Sequence, residues 1–283
     1  MARILALTAL VGTACLAAAG QDGEAPPRTS VRLGLLRAVP EKWNLDKNFG
    51  AFLELLDATR GENVDIFITP ECWLDGYAAP AKDSTRERIV AVAQDLNSSR
   101  YLQRVSEEAR SRSMWICFGF TSLENGKAYN AAGLWNAEGE RVGVYHKTHI
   151  QTHDVQFDAG ESLPVWPSAW GPLGIMICAD RRWPETARVL RLQGAKLILN
   201  PTYGFHNELN EAMMRTRAFE NQCFIAFAHP EESLVTGPKG EIVAQKKGSR
   251  GVLICDIDLS RATDDNHLKD RRPELYGVIV GGE

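Results

Sequence analysis

Three side chains in this sequence can carry one piece of acyl chemistry together. Glu71 follows the apolar run VDIFIT by one proline, Lys147 ends RVGVYHK, and Cys178 ends GIMIC. A thiol attacks a carbonyl as its thiolate, so it needs a base, and the departing group needs a proton. One nearby carboxylate can serve both steps. The tetrahedral intermediate carries an oxyanion, which an ammonium and a backbone N–H can stabilise. A cysteine–histidine pair is the rival arrangement, because His146, His149 and His153 cluster around Lys147. An isolated cysteine in an apolar run is more often a packing residue, so the surroundings of Cys178 decide its role.

Those surroundings read GIMICADRRWPE (174–185). GIMIC is expected as a short buried strand bounded by Gly174 and Asp180. Pro184 suits the first turn of a helix that runs through ETARVLRLQ and stops at Gly194. Cys178 thus falls between a strand end and a helix start, where ligands bind in open α/β sheets. Arg181 and Arg182 and the helix N-terminus are expected to lower its pKa.

The other elements follow from periodicity. VRLGLLRA (31–38), VDIFIT (64–69) and MWICFGF (114–120) read as buried strands. Phe49, Phe52, Leu53, Leu55 and Leu56 recur at helical spacing, and Gly61 closes that helix. Residues 84–112 are expected to be helical in two pieces, broken near Asn97-Ser98-Ser99. AYNAAGLWN (128–136) and RVGVYHK (141–147) form a hairpin about residues 137–140. Residues 148–170 lack a clean period and read as a long functional loop. Further strands are expected at 195–200, 222–230 and 251–259, a helix at 206–221, and a hairpin about Gly237-Pro238-Lys239-Gly240. A polar helix and a tail finish the chain. Strands alternating with helices and hairpins imply one layered α/β domain over residues 31–260, with a partly parallel, buried sheet. Residues 261–283 form a C-terminal tail.

Composition is that of an ordinary globular protein, with 44% apolar and 24% charged residues. A net charge of −4 gives no reason to expect a nucleic-acid partner. Arg3, the apolar run after it and Ala17-Ala18-Ala19 have the pattern of a signal peptide over residues 1–19, so export is expected. A lipid-modified Cys15 is the less favoured alternative. No other segment is long enough to span a bilayer. The six cysteines show neither a CxxC nor zinc-ligand spacing. Cys117, Cys223 and Cys255 lie in strand-like runs, as packing cysteines do.

The motifs also carry a resemblance. PECWLDGY (70–77) resembles the glutamate motif of the carbon–nitrogen hydrolase (nitrilase) superfamily, YHKTHI (145–150) its lysine motif and ICADRRWPE (177–185) its cysteine motif. The three stand in the family's order. RAFEN (217–221) is similar to the helix after the cysteine block, and GPKGEIVA (237–244) to the late hairpin. The likeness spans about residues 31–260.

The resemblance implies a single-domain α/β fold, a four-layer αββα sandwich, that pairs into a homodimer or higher homo-oligomer. It implies no metal and no cofactor. Glu71 would be the general base, Lys147 the oxyanion stabiliser and Cys178 the nucleophile, with the Ala179 N–H completing the oxyanion hole. The cysteine block is similar to that of N-carbamoyl-D-amino-acid hydrolases, which implies that Arg181 and Arg182 hold a substrate carboxylate in a bidentate fork. Either arginine can instead pair structurally with Asp180 or Glu185. Trp73, Trp166 and Trp170 are candidates to line the pocket, although core packing is the commoner role for each.

One departure stands out. Many family members carry a second glutamate after the lysine, where this chain reads HIQTHDVQFDAGES (149–162). His153 or Asp154 falls near that place, and Glu161 lies further on. The expected partner is a small amide or carbamoyl compound. An acyltransferase and a non-catalytic binding protein are the alternatives; intact Glu71, Lys147 and Cys178 argue against the second.

Overall fold

Both faces of most strands in this chain are apolar, so the strands need cover on both sides. The computed structural model describes residues 28–281 and shows how they get it. The signal-peptide reading of residues 1–19, with Cys15, lies outside the described residues.

The first half runs β1 (Ser30–Arg37), α1 (Leu45–Asp57), β2 (Ile66–Ile68), α2 (Arg86–Val92), β3 (Gln94–Asp95), α3 (Arg100–Arg112), β4 (Trp115–Glu124), β5 (Lys127–Trp135) and β6 (Arg141–His146). The second half runs β7 (Val165–Trp166), β8 (Leu173–Ile175), α4 (Pro184–Leu192), β9 (Leu197–Pro201), α5 (Glu208–Asn221), β10 (Phe224–Ala228), β11 (Glu232–Thr236), β12 (Ile242–Lys247) and β13 (Gly251–Asp258). Two short helices close it, α6 (Asn266–Lys269) and α7 (Gly277–Val280). Among the described residues, no helix is long and apolar enough to cross a membrane.

The strands form two mixed sheets. One has the order β13-β1-β2-β4-β5-β6, with β3 on β4; the other has the order β12-β11-β10-β9-β8-β7. β1, β2 and β4 are mutually parallel, as are β8, β9 and β10. Side-chain alternation sorts the layers. Ile66 and Ile68 point into the inter-sheet core with Ile175, Ile177, Leu197 and Leu199, whereas Phe67 points out to Phe52 and Leu56 of α1. On the far face, Ile198 and Ile225 pack with Leu190 of α4 and Met214 of α5. The result is a four-layer αββα sandwich. Truncating one fully buried residue such as Ile68 to Ala is worth about 2–5 kcal/mol.

The local signals acted as expected at several ends. Pro184 opens α4, and Gly194, at φ 100°, follows its last turn. The Ser99 hydroxyl caps α3 by accepting from Leu102 N at 3.3 Å, which breaks the 84–112 helix near its expected place. Two expectations need correction. The strand before Cys178 covers only Leu173–Ile175, because the Asp180 carboxylate takes the Ile177 N–H at 2.9 Å and turns the chain. The polar C-terminal helix shrinks to the four residues of α6, none of them buried, so no packing extends it.

Candidate active site

Glu71 is set by the turn after β2. The Thr69 N–H donates to Cys117 O at 3.0 Å, and the Thr69 hydroxyl accepts from Gly119 N at 2.8 Å. A Cβ at Gly119 would lie 2.3 Å from Pro70 O, so only glycine lets the turn press onto β4. Glu71 is fully buried. Its Oε1 accepts from Asn130 Nδ2 at 2.7 Å and Lys147 Nζ at 3.0 Å, and its Oε2 accepts from Tyr203 N at 2.9 Å.

Lys147 leaves β6 with its N–H on Asn130 O. Its buried ammonium touches two carboxylates, Glu71 Oε1 and, at 2.5 Å, Asp154 Oδ2. Asp154 also accepts from the Tyr77 hydroxyl at 2.8 Å. Burial works against the ammonium, but the charges of Glu71, Cys178 and Asp154 outweigh it and hold the pKa above the ordinary lysine value. His153 is about half exposed, and Glu161 lies out at the surface facing Lys127. Of the three candidates for the second acidic group, Asp154 is therefore the one that reaches Lys147.

Cys178 sits at φ 45°, in the left-handed region, at the head of a tight 3₁₀ turn spanning Cys178–Arg182. A Cβ at Gly204 would lie 2.9 Å from its sulfur. Its pKa is raised, not lowered as its sequence setting suggests. Burial raises it most, the Glu71 charge and hydrogen bond add to that, and Lys147 and Arg181 offset only part. The resting group is a thiol that needs a base beside it. Ala179 follows in the same turn and is buried. Among the described residues, all five cysteines are free thiols.

The turn is held by Asp180 and Arg181. Asp180 accepts from the Tyr145 hydroxyl (2.7 Å), Thr148 Oγ1 (3.1 Å), His149 N (3.0 Å) and Ile177 N (2.9 Å), and lies 2.7 Å from His149 Nδ1. Arg181 is fully buried and donates to Asn210 Oδ1, Cys178 O and Phe205 O at 2.8, 2.5 and 2.9 Å. Those acceptors leave it no fork for a substrate, so it braces the turn. Arg182 is exposed, donates one N–H to Gln151 Oε1, and lies 5.2 Å from the Phe205 ring.

Two of the three rival histidines are occupied elsewhere, and the third, His153, is half exposed beside Asp154. His146 stacks on Tyr129 and pairs with Glu124, while His149 stacks on Trp183 beside Asp180. The three tryptophans are packing residues. Trp73 is buried with its Nε1 on Asn48 O, Trp166 fills the space over Gly143, and Trp170 packs on Trp115 with its Nε1 on Ser30 O.

Sequence reasoning missed Asn130 and Tyr203. Asn130 had a signal, since it is a polar residue in the apolar strand AYNAAGLWN. The Tyr203 contact is a backbone N–H and leaves none. Among the described residues, no three His, Cys, Asp or Glu side chains group so as to hold a metal ion. What the arrangement offers is a thiol, a carboxylate and an ammonium from two different sheets.

Known proteins agree with this architecture. The Carbon-nitrogen hydrolase family model matches residues 30–266. A protein of Pseudomonas protegens described as "Hydrolase in pqqF 5'region" is 32% identical over 268 residues, covering 87% of this chain and 91% of its own. An (R)-stereoselective amidase of a Pseudomonas species is 26% identical, covering 83% and 88%. Among solved structures, an amidase of Nesterenkonia from the nitrilase superfamily superposes with a TM-score of 0.76, at 23% identity, over 91% of this chain and all of its own; at that identity it attests the fold. A family match across nearly the whole described chain, and a relative of this identity, lead to one conclusion: the chain belongs to the carbon–nitrogen hydrolase family.

Proposed function

We propose that the chain is an exported amidohydrolase that cleaves non-peptide C–N bonds of small amides or N-carbamoyl compounds. The observation that carries this reading is the fully buried Glu71 carboxylate, which bonds the Lys147 ammonium at 3.0 Å and whose charge raises the pKa of the Cys178 thiol.

In this reading Glu71 takes the Cys178 proton as Sγ bonds to the substrate carbonyl carbon. The oxygen becomes an oxyanion facing the Lys147 ammonium and the Ala179 N–H. The C–N bond breaks as Glu71 returns the proton to the leaving nitrogen, and a thioester remains. Glu71 then takes a proton from water, the hydroxide adds to the thioester, and the C–S bond breaks. The acid leaves, and Glu71 gives the thiol its proton back. Asp154 keeps the ammonium charged while Glu71 carries the proton, and no cofactor is required.

Arg182 is the side chain we assign to a substrate carboxylate, since it is exposed and donates to Gln151 alone, whereas Arg181 is fully buried with each of its three nitrogens already bonded within the turn and its neighbours. The chain acts as a homodimer or higher homo-oligomer after loss of residues 1–19. Ammonia release from a panel of amides and N-carbamoyl amino acids tests the activity. Release that persists in Cys178→Ala would defeat the mechanism. N-terminal sequencing of exported protein, expected to start near Gly20 or Gln21, tests the processing.

A further inference from the structure

His229 follows β10, is buried, and has both ring nitrogens committed to backbone. Nε2 lies 3.2 Å from Tyr203 O and 2.9 Å from Gly204 O. Nδ1 accepts from Glu231 N at 3.1 Å and Glu232 N at 3.3 Å. Two carbonyls at Nε2 demand a proton there, and two N–H groups at Nδ1 demand a lone pair. The neighbours thus fix one neutral tautomer, with the proton on Nε2. Phe227 stacks on the ring, and His206 lies 4.4 Å from it. Burial first, then the His206 charge, lower its pKa to about 4, in line with that assignment.

The segment that His229 grips forms a wall of the site. Residues 203–207 belong to no strand or helix, so no ladder holds them. Tyr203 N is the donor on Glu71 Oε2, and Gly204 faces the Cys178 sulfur. Arg181 holds the next carbonyl, Phe205 O. His229 bonds the peptides on both sides of Gly204. Shifting these peptides would turn the Tyr203 N–H away from Glu71 and change the gap in front of the sulfur.

We propose that His229 is a positioning residue for the Cys178 chemistry, fixing the Tyr203–Gly204 backbone against Glu71 and the Cys178 sulfur. The inference rests on the Glu71–Cys178 reading given above. It goes further by placing control of that pair on a side chain that touches neither.

The test is alkylation by iodoacetamide, followed by mass spectrometry in the full chain, for wild type, His229→Ala and His229→Gln. Glutamine keeps an N–H donor near the Nε2 position. His229→Ala is expected to slow labelling of Cys178 by about tenfold or more, as small misplacements at reacting groups do. Labelling of Cys255, on β13 in the other sheet, should stay constant, and His229→Gln should return Cys178 to within about threefold of wild type. Wild-type reactivity in a folded His229→Ala overturns the proposal and leaves the nucleophile reading intact. A wild-type Cys178 that labels no faster than Cys255 overturns both. Should His229→Ala fail to fold, the wild-type imidazole nitrogen shifts at pH 6 decide: a proton on Nε2 alone upholds the proposal, and one on Nδ1 overturns it.

Discussion

The Tyr145 hydroxyl donates to Asp180 Oδ2 across 2.7 Å, joining a residue of one sheet to the turn that follows β8 in the other. Tyr145 stands two positions before Lys147, and Asp180 two after Cys178. The bond therefore sets the spacing between the ammonium and the thiol. Tyr145→Phe removes one donor from a buried carboxylate, which costs about 1–3 kcal/mol. We expect a matching drop in urea-unfolding stability and a fall in kcat larger than any change in KM. A stable, fully active Tyr145→Phe would show that the tie is dispensable.

Cys178→Ala should abolish turnover with the fold intact, because among the described residues no other thiol borders Glu71 and Lys147 except Cys72, which is fully buried with its pKa pushed well up by that burial. Glu71→Gln should lower kcat by about 10²–10⁴, the usual worth of a positioned base. Iodoacetamide should label Cys178 first. Cys117 and Cys223 are fully buried, so Cys255, which is partly exposed, is the competitor to watch.

The two arginines should separate in a substrate comparison. Arg182→Ala is expected to cut kcat/KM for N-carbamoyl acids by about tenfold to a hundredfold, while sparing neutral amides, as loss of one charge-assisted bond would. Arg181→Ala should hurt both classes alike and lower stability, because two buried acceptors, Asn210 Oδ1 and Cys178 O, and the partly buried Phe205 O lose their donor. Equal losses on both substrate classes in Arg182→Ala would remove the carboxylate assignment and leave a general amidase.

Asp75 gives the pH prediction. Burial raises its pKa from the ordinary carboxylate value to about 6, against bonds from Ala78 N and Thr121 Oγ1. The folded protein thus keeps a proton that the unfolded chain has already lost. The stabilisation from this group is complete below about pH 4 and disappears as pH rises through 6, a change of about 3 kcal/mol at most. Asp75→Asn should therefore gain on wild type steadily between pH 4 and 7 in urea midpoints. A constant difference across that range would show that Asp75 does not titrate there.

Much of this was readable in the residues. Apolar runs gave most strands, Pro184 and Gly194 bracketed a helix, and the three chemical side chains stood at run ends. The failures share a cause, which is that side chains capture backbone groups from distant segments. The strand before Cys178 stops early because Asp180 reaches back to Ile177. Arg181, one of two adjacent arginines in sequence, differs from Arg182 only because Asn210 and Phe205 fold over it. The thiol pKa moves up because burial, invisible in a motif, outweighs the two nearby cations.

The pairing of β1 with β13 sets the order in which this protein can mature. Ser30 meets Asp258 and Arg37 meets Gly251, so the first strand waits for the last. At ordinary elongation rates the ribosome delivers that partner roughly ten seconds or more after β1 has emerged. During the interval β1 presents an open row of N–H and C=O groups, the kind of edge that recruits other chains. A polypeptide released short of residue 251 would already hold Glu71, Lys147 and Cys178. It would still have a bare sheet edge, and it would be handled by chaperones and proteases as unfinished product.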